Sequence, residues 1–176
     1  KRLFIVTLLC CLGVCSTAAQ SFRQGALYHL VLPAKGLVLT LDERGALSLA
    51  KPDEAAQGQH FVVAELSGAW RFINPFCNLA VRTEANTVQA GENNGSDEAQ
   101  LWKTEAVADG VLLVPANRPD MAAAAQGHQV VLLPKAQAAA SKQAHFKVVQ
   151  ARQAGFDVAL TYRIRSVSQP DCVLGN

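Results

Sequence analysis

Three stretches of this chain begin alike and end alike at a spacing of about forty residues. Each opens on a short apolar run and closes on a second run that carries one large aromatic residue shortly after a glutamine. The opening runs start at Tyr28, Trp70 and Val111, and the closing aromatics are Phe61, Trp102 and Phe146. A period of this size predicts one supersecondary unit present three times, in which no single copy buries its apolar face alone.

Residues 1–19 have the composition of an export signal. Two basic residues precede an apolar run over 3–14, and small residues follow at 16–19. This order is typical of a secretory signal peptide. The run is shorter than the roughly 20 residues that span a bilayer, so we expect a secreted or cell-surface protein without a transmembrane span after cleavage. Lipidation at Cys15 is the weaker alternative, because Val14 stands where a lipoprotein signal has a small residue.

Net charge limits the classes of binding partner, and cysteine content limits what holds the fold together. Removal of residues 1–19 takes two of the 16 Lys and Arg and leaves 14, equal to the 14 Asp and Glu. Without a basic stripe, we expect neither nucleic acid nor an anionic membrane as a partner. Two of the 5 cysteines, Cys77 and Cys172, lie outside the signal. Two cysteines do not make a disulfide framework, so an apolar core has to hold the fold.

Short apolar runs separated by Gly, Pro, Asn and Asp are typical of strands in an all-β domain. Two Ala-rich pieces, 122–125 and 136–140, favour helix by propensity, and a short helix is the alternative there. By their place in the repeat we assign residues 122–125 to a strand and 136–140 to a loop. The predicted strands cover residues 27–32, 37–41, 46–50, 60–66, 70–74, 79–83, 87–90, 101–107, 111–114, 121–125, 129–133 and 145–150.

Four strands in each of three units predict a β-trefoil over residues 26–150. In this fold six strands close a barrel and three hairpins cap it. Closure removes the sheet edges that would otherwise pair with other chains.

These residues resemble the ricin B-type lectin family. Its signature is a Gln-x-aromatic triplet near the last strand of each unit and a turn with glycine before the second strand. The matching residues are Gln59 with Phe61, Gln100 with Trp102, Gln143 (one position early) with Phe146, and the turns at Gly36 and Asn78. The resemblance implies a β-trefoil whose three aromatics pack near the threefold axis, with a sugar-stacking role as the alternative.

The residues after Gln150 start the pattern again. Residues 162–166 repeat the opening run at 28–32, and we expect 156–176 to begin a second trefoil. The alternative is a C-terminal extension that packs on the first domain. We expect no disulfide between Cys77 and Cys172 if a second domain begins here.

Catalytic, metal and cofactor motifs are absent from the sequence, so we expect a noncatalytic protein without a metal or a cofactor. His60 and His145 each precede a closing aromatic. Equivalent positions of a threefold barrel lie apart, so these two histidines are not expected to converge on a metal.

Ricin-like sugar sites use an Asp just after the Leu of the second strand and an aromatic on the third strand. We place the Asp position on Thr40, Ala80 and Ala122, none of which is acidic, and the third strands contain no aromatic. The resemblance therefore implies the scaffold without the sugar ligands, and we expect simple galactosides not to bind there.

Other polar residues in the same loops form an alternative set of binding candidates. They are Asp42, Glu43, Glu84 and Asn86, to which Thr40 is added. Solvated turn residues are the competing interpretation.

The sequence therefore predicts a secreted, noncatalytic, lectin-like module for a glycan or a protein surface. The alternative is an accessory N-terminal domain of a secreted glycoside hydrolase or peptidase. A trefoil protease inhibitor or cytokine is a third class, and the Gln-x-aromatic triplets argue against it.

Overall fold

The computed structural model describes residues 22–23, 26–42 and 44–151. The predicted signal peptide at 1–19, the segment 156–176, Cys15, Glu43 and Cys172 lie outside these residues.

Twelve strands run through the described residues, and the all-β prediction is confirmed. No helix within these ranges is long and apolar enough to cross a membrane. The strands are β1 Leu27–Leu32, β2 Leu37–Leu41, β3 Leu47–Ala50, β4 Phe61–Leu66, β5 Ala69–Asn74, β6 Leu79–Glu84, β7 Thr87–Glu92, β8 Trp102–Val107, β9 Gly110–Pro115, β10 Met121–Gln126, β11 Gln129–Pro134 and β12 Lys147–Gln150. We call β1 to β4 the first unit, β5 to β8 the second and β9 to β12 the third.

A 3₁₀ turn precedes the last strand of each unit, at Gln57–Gln59, Glu98–Gln100 and Lys142–Ala144. The next residue in each case, His60, Leu101 or His145, donates its amide to the carbonyl three residues earlier, at 3.3, 3.1 and 3.4 Å. These residues close a turn, so the last strand of each unit begins later than predicted.

The two Ala-rich pieces differ in outcome. Residues 122–125 lie in β10 as predicted, whereas the loop predicted at 136–140 is wrong, since Lys135–Ala139 forms a short helix, α1. Alanine is the best helix former, and nothing in α1 has a β-branched side chain to oppose it.

Six strands close a ring of antiparallel pairs. β1 pairs with β4, β4 with β5, β5 with β8 and β8 with β9. Val111 of β9 bridges Phe146, just before β12, and β12 pairs with β1. The remaining six strands form the hairpins β2–β3, β6–β7 and β10–β11. A closed ring leaves no unpaired edge in these six strands.

The three hairpins contact one another. Leu49 of β3 donates its amide to His128, in the third hairpin turn, at 2.7 Å. Leu132 of β11 donates to the carbonyl of Asn86, in the second hairpin turn, at 2.9 Å. A Cβ atom at Gly45, in the first turn, would overlap Leu79 of β6. Each hairpin is therefore fixed by a neighbouring unit.

The three closing aromatics lie in the core. Phe61, Trp102 and Phe146 are fully buried in one cluster with Leu30 and Phe72. The Trp102 indole Nε1 donates to the carbonyl of Val81 at 2.9 Å, which satisfies its polar atom. These aromatic side chains are therefore inaccessible as stacking platforms for a sugar.

Cys77 is exposed in the turn after β5, where its Sγ donates to Oδ1 of Asn74 at 3.4 Å. Because Cys172 lies outside the described residues, the absence of a bridge between them stays a prediction.

Candidate functional site

Strand register identifies a position that recurs in all three units. Leu37 and Leu79 open their second strands, and Thr40 and Arg82 follow them by three residues. Arg82 and Ala124 each lie two pairs before the last pair of their hairpins. Thr40, Arg82 and Ala124 are therefore equivalent.

This register corrects two residues of the predicted sugar position. Ala80 and Ala122 were placed at the level of Thr40, but both are completely buried and lie two residues too early. Arg82 and Ala124 hold that position instead. The error arose because Thr40 was counted from Leu39, the third residue of β2, whereas Ala80 and Ala122 were counted from the first residues of β6 and β10.

A second recurring position lies on the opening strands. Each opening strand meets its closing aromatic through Tyr28, Trp70 or Val111, so the next residues, His29, Arg71 and Leu112, are equivalent. The three units therefore present an imidazole, a guanidinium and an aliphatic group at one place.

The second unit builds a polar cluster around these positions, which we define as Arg71, Asn78, Arg82, Asn93 and Asp97. Nε of Arg82 lies 3.7 Å from Oδ2 of Asp97. Nη2 of Arg71 donates to Oδ1 of Asn93, and Nδ2 of Asn93 donates to Oδ1 of Asn78 at 2.8 Å. Gln100 links the two sets, since its Oε1 accepts from Nη2 of Arg71 at 3.1 Å and its Nε2 donates to Oδ2 of Asp97 at 3.4 Å. One carboxylate, two amides and two guanidinium groups are thus joined through this glutamine, and such groups are able to form hydrogen bonds with a ligand.

Local sequence fixes three members of the polar cluster. Asn78 adopts a left-handed φ of 55°, which asparagine tolerates better than most residues. Asp97 caps the 3₁₀ turn by accepting from the amide of Ala99 at 3.0 Å. Gly91 leaves room for Arg82 across β7, since a Cβ atom there would overlap Cδ of Arg82.

A buried glutamine ties the loop of the second unit to its last strand. Nε2 of Gln100 donates to the carbonyl of Glu92 at 2.6 Å, and Oε1 accepts from the amide of Asn94 and from Nη2 of Arg71, both at 3.1 Å. The glutamine therefore supports both the loop and the cluster.

The first unit uses its glutamine in the same way. Gln59 donates to the carbonyl of Lys51 at 2.8 Å and accepts from the amide of Asp53 at 2.9 Å. The third unit has buried Ala144 at this place, and Gln143 lies beside it with an unpaired Oε1. The displaced glutamine of the third triplet therefore does not replace the loop contact.

Apolar residues fill the third unit where the second is polar. Leu112, Ala124 and Ala144 are 2, 0 and 0 % exposed and pack with Ala138 of α1 in one cluster. Because α1 covers the position equivalent to Arg82, this unit has no room there for a ligand.

The first unit places two histidines together, which the sequence did not indicate. The ring centroids of His29 and His60 are 4.8 Å apart, and Nδ1 of His29 lies 3.1 Å from the carbonyl of Gln59. Burial lowers the pKa of His60, and the neighbouring His29 lowers it further. A cavity of about 280 Å³ lies beside them, lined also by Glu54 and Val149.

His60 and His145 lie in separate cavities. Among the residues that the structure describes, no three His, Cys, Asp or Glu side chains are grouped to hold a metal ion.

Thr40 and Asp42 each form hydrogen bonds within their own strand or turn. Thr40 donates Oγ1 to the carbonyl of Val38 at 3.1 Å. Asp42 accepts from the amides of Arg44 and Ala46, each at 2.8 Å, in the first hairpin turn.

Glu84 and Asn86 flank the second hairpin turn. Glu84 accepts from Nε2 of Gln89, and Asn86 accepts from Nη2 of Arg118 at 3.1 Å. Asp42 lies in a different hairpin, and among the described residues no hydrogen bond joins it to Glu84 or Asn86. Sequence reasoning missed Arg71 and Arg82. For Arg82 the signal was the spacing of three residues after Leu79.

Solved structures share this fold at low sequence identity. ThreeFoil, a designed 3-fold symmetric protein, is similar over 70 % of this chain and 98 % of its own, with a TM-score of 0.59 and 13 % identity. The fold of the described residues is therefore trefoil-like. No protein-family model and no curated protein sequence matches the chain.

Two natural proteins are similar over part of their length. The GlcNAcα1-4Gal-releasing endo-β-galactosidase from Clostridium perfringens has a TM-score of 0.63 at 11 % identity, over 71 % of this chain and 32 % of the enzyme. A mosquitocidal holotoxin has a TM-score of 0.62 at 13 % identity, over 73 % of this chain and 18 % of the toxin. This chain thus spans about a third of the galactosidase and less of the toxin.

Proposed function

We propose that this protein is a secreted, noncatalytic, lectin-like β-trefoil of three four-stranded units that binds a glycan through its second unit. One observation carries the proposal. The same structural position is polar and accessible in the second unit, where Arg82 is 34 % exposed, and is filled by alanine in the third. Arg71 of the neighbouring opening strand adds a second guanidinium group, and the planar guanidinium suits hydrogen bonding to a polar ligand.

The chemistry of the polar cluster supports a saccharide. Sugar rings offer closely spaced polar groups, and an Arg–Asp pair beside two amides presents donors and acceptors at similar spacing. The resemblance to ricin B-type lectins and the fold shared with part of an endo-β-galactosidase agree with this class of ligand.

A glycan array with the wild-type protein and R82T tests the proposal. Threonine is the residue that the first unit has at this position, so the variant copies a surface already present in the fold. We expect saturable glycan binding that R82T weakens. R118A, which alters an arginine at the second hairpin turn, is the matched control. Absence of any glycan binding, or equal binding by R82T, would contradict the proposal.

Secretion rests on residues 1–19. Expression of the full chain in a secreting host should yield a mature protein whose N-terminal sequence begins near Gln20. Retention of the first nineteen residues in the exported or cell-associated protein would contradict cleavage.

The second candidate is an accessory domain of a secreted enzyme. It is favoured by the fold shared with 32 % of the endo-β-galactosidase chain. Reading the coding sequence on both sides of this chain decides it, because an adjoining catalytic domain is required by this candidate and not by the first.

A further inference from the structure

The acceptor atoms of the polar cluster are already engaged within the protein. Oδ1 of Asn93 accepts from Arg71, and Oδ1 of Asn78 accepts from Asn93. Oδ1 of Asp97 accepts from the amide of Ala99, while its Oδ2 accepts from Nε2 of Gln100 at 3.4 Å and lies near Arg82. Each of these oxygens therefore already serves a donor of the protein, and only the rest of its lone-pair capacity is left for a ligand.

Several donors are left over. Within the described part of the chain, Nη1 and Nη2 of Arg82 and Nδ2 of Asn78 form no hydrogen bond, and neither does Nη1 of Arg71. Arginine and the amide nitrogen donate and never accept. The surface that the cluster offers to a ligand is therefore dominated by donors.

The local charge of the cluster also favours a ligand that accepts hydrogen bonds. The cluster contains two guanidinium groups and one carboxylate, and only Arg82 lies near that carboxylate. A guanidinium matches a planar or tetrahedral oxyanion by two parallel hydrogen bonds. Exposed Glu92 and Glu98 flank the loop but form no ion pair with either arginine among the described residues. At physiological ionic strength, exposed charges are screened over about 8 Å, so the groups in direct contact decide the ligand.

We infer that the second unit binds an acidic saccharide, whose carboxylate or sulfate group accepts from Arg82. This inference rests on the proposed function and names its ligand class. The neutral hexoses expected of ricin-like sites lack the oxyanion that this donor-rich surface requires.

Isothermal titration with matched probes tests the inference. The acidic probes are trigalacturonate and 3′-sialyllactose, which carry carboxylates, and a chondroitin sulfate tetrasaccharide, which also carries sulfate. The neutral probes are the methyl triester of trigalacturonate and lactose. Inorganic sulfate controls for simple anion binding.

We expect at least one acidic probe to bind more tightly than every neutral probe. R82T should weaken that binding by roughly ten- to hundred-fold, the effect of losing a charged hydrogen-bond pair. R82K keeps the charge without the fork and should lie between the two, and R118A should bind like the wild type. Binding of the triester equal to that of trigalacturonate would overturn the inference.

The outcomes separate the two proposals. A neutral probe that binds and is lost in R82T would overturn the acidic ligand and leave the glycan-binding function standing. An acidic probe that binds equally to R82T, or inorganic sulfate that binds as tightly as the saccharides, would overturn the assigned site. No binding by any probe would overturn the inference, and the glycan array then decides the proposed function separately.

Discussion

The second and third units have side chains of opposite character at their equivalent positions. Arg71, Arg82 and Gln100 support an exposed polar surface, whereas Leu112, Ala124 and Ala144 form a closed apolar cluster under α1. The backbone register is the same in both hairpins. One location of the fold therefore carries exposed polar groups in one unit and packed apolar side chains in another, and side-chain size and charge decide which.

The largest effect is expected from moving the arginine into the closed unit. A124R places a charge at a completely buried position without an acceptor, and such an unpaired buried charge costs roughly 3 to 5 kcal/mol. Urea denaturation followed by tryptophan fluorescence measures the loss.

The reverse change is the control. R82A removes a half-exposed ion pair, so the free energy of unfolding should fall by less than about 1 kcal/mol. Equal stability losses in A124R and R82A would show that the two positions do not differ in packing.

The glutamine contacts give the next effect. Q100A leaves the carbonyl of Glu92 and the amide of Asn94 without their partner, which costs roughly 1 to 3 kcal/mol. Q143A removes a side chain whose Oε1 is already unpaired, so its effect should be near zero. The same denaturation experiment compares them, and a larger loss in Q143A would show that the third unit uses its displaced glutamine after all.

The strands could be predicted because their signals are local. Alternation and Gly, Pro, Asn and Asp punctuation placed all twelve strands within a few residues, even the alanine-rich β10. Helix α1 was missed because the sister units have a loop at its place, and there the repeat outweighed the helix propensity of alanine.

The polar cluster was harder to predict because it depends on pairing across strands. Arg71 and Asn93 are 22 positions apart in sequence, and no local pattern shows that they touch. The pairing of His29 with His60 is equally nonlocal. The position of Arg82 could have been predicted from the sequence. It lies three residues after Leu79, just as Thr40 lies three residues after Leu37.

Substitution of Gly91 tests whether the orientation of the Arg82 side chain matters, while Arg82 itself is kept. In G91A the new Cβ displaces the flexible arginine side chain, so stability should change by less than about 1 kcal/mol. Affinity for whichever acidic saccharide the wild type binds should fall roughly three- to tenfold, less than in R82T, because the charge stays nearby. Calorimetry measures both variants, and unchanged affinity in G91A would show that the path of Arg82 across β7 is irrelevant to binding.

The smallest effect concerns acid pH and the first unit. Burial and the neighbouring His29 lower the pKa of His60, so the unfolded chain takes up this proton more readily than the folded chain. The stability contribution is complete above the unfolded value, near 6.5, and is lost as the pH falls below it.

Melting curves between pH 5 and 8 measure this effect, a range that brackets the ordinary histidine pKa of about 6.5. H60Q should flatten the dependence on pH, whereas R118A, which removes no group that titrates in this range, should not. An unchanged slope in H60Q would assign the pH dependence to another group.

The ring that β12 closes against β1 brings the two ends of the described barrel side by side. The amide of Ala151 donates to the carbonyl of Leu27 at 2.8 Å, and Tyr28 pairs with Gln150. A polypeptide that enters and leaves at one spot can be spliced into a loop of a larger protein without stretching its host. By the same geometry, a circular permutant opened at the exposed turn of Ser67 and Gly68, with its old ends joined by a short linker, keeps every strand pair.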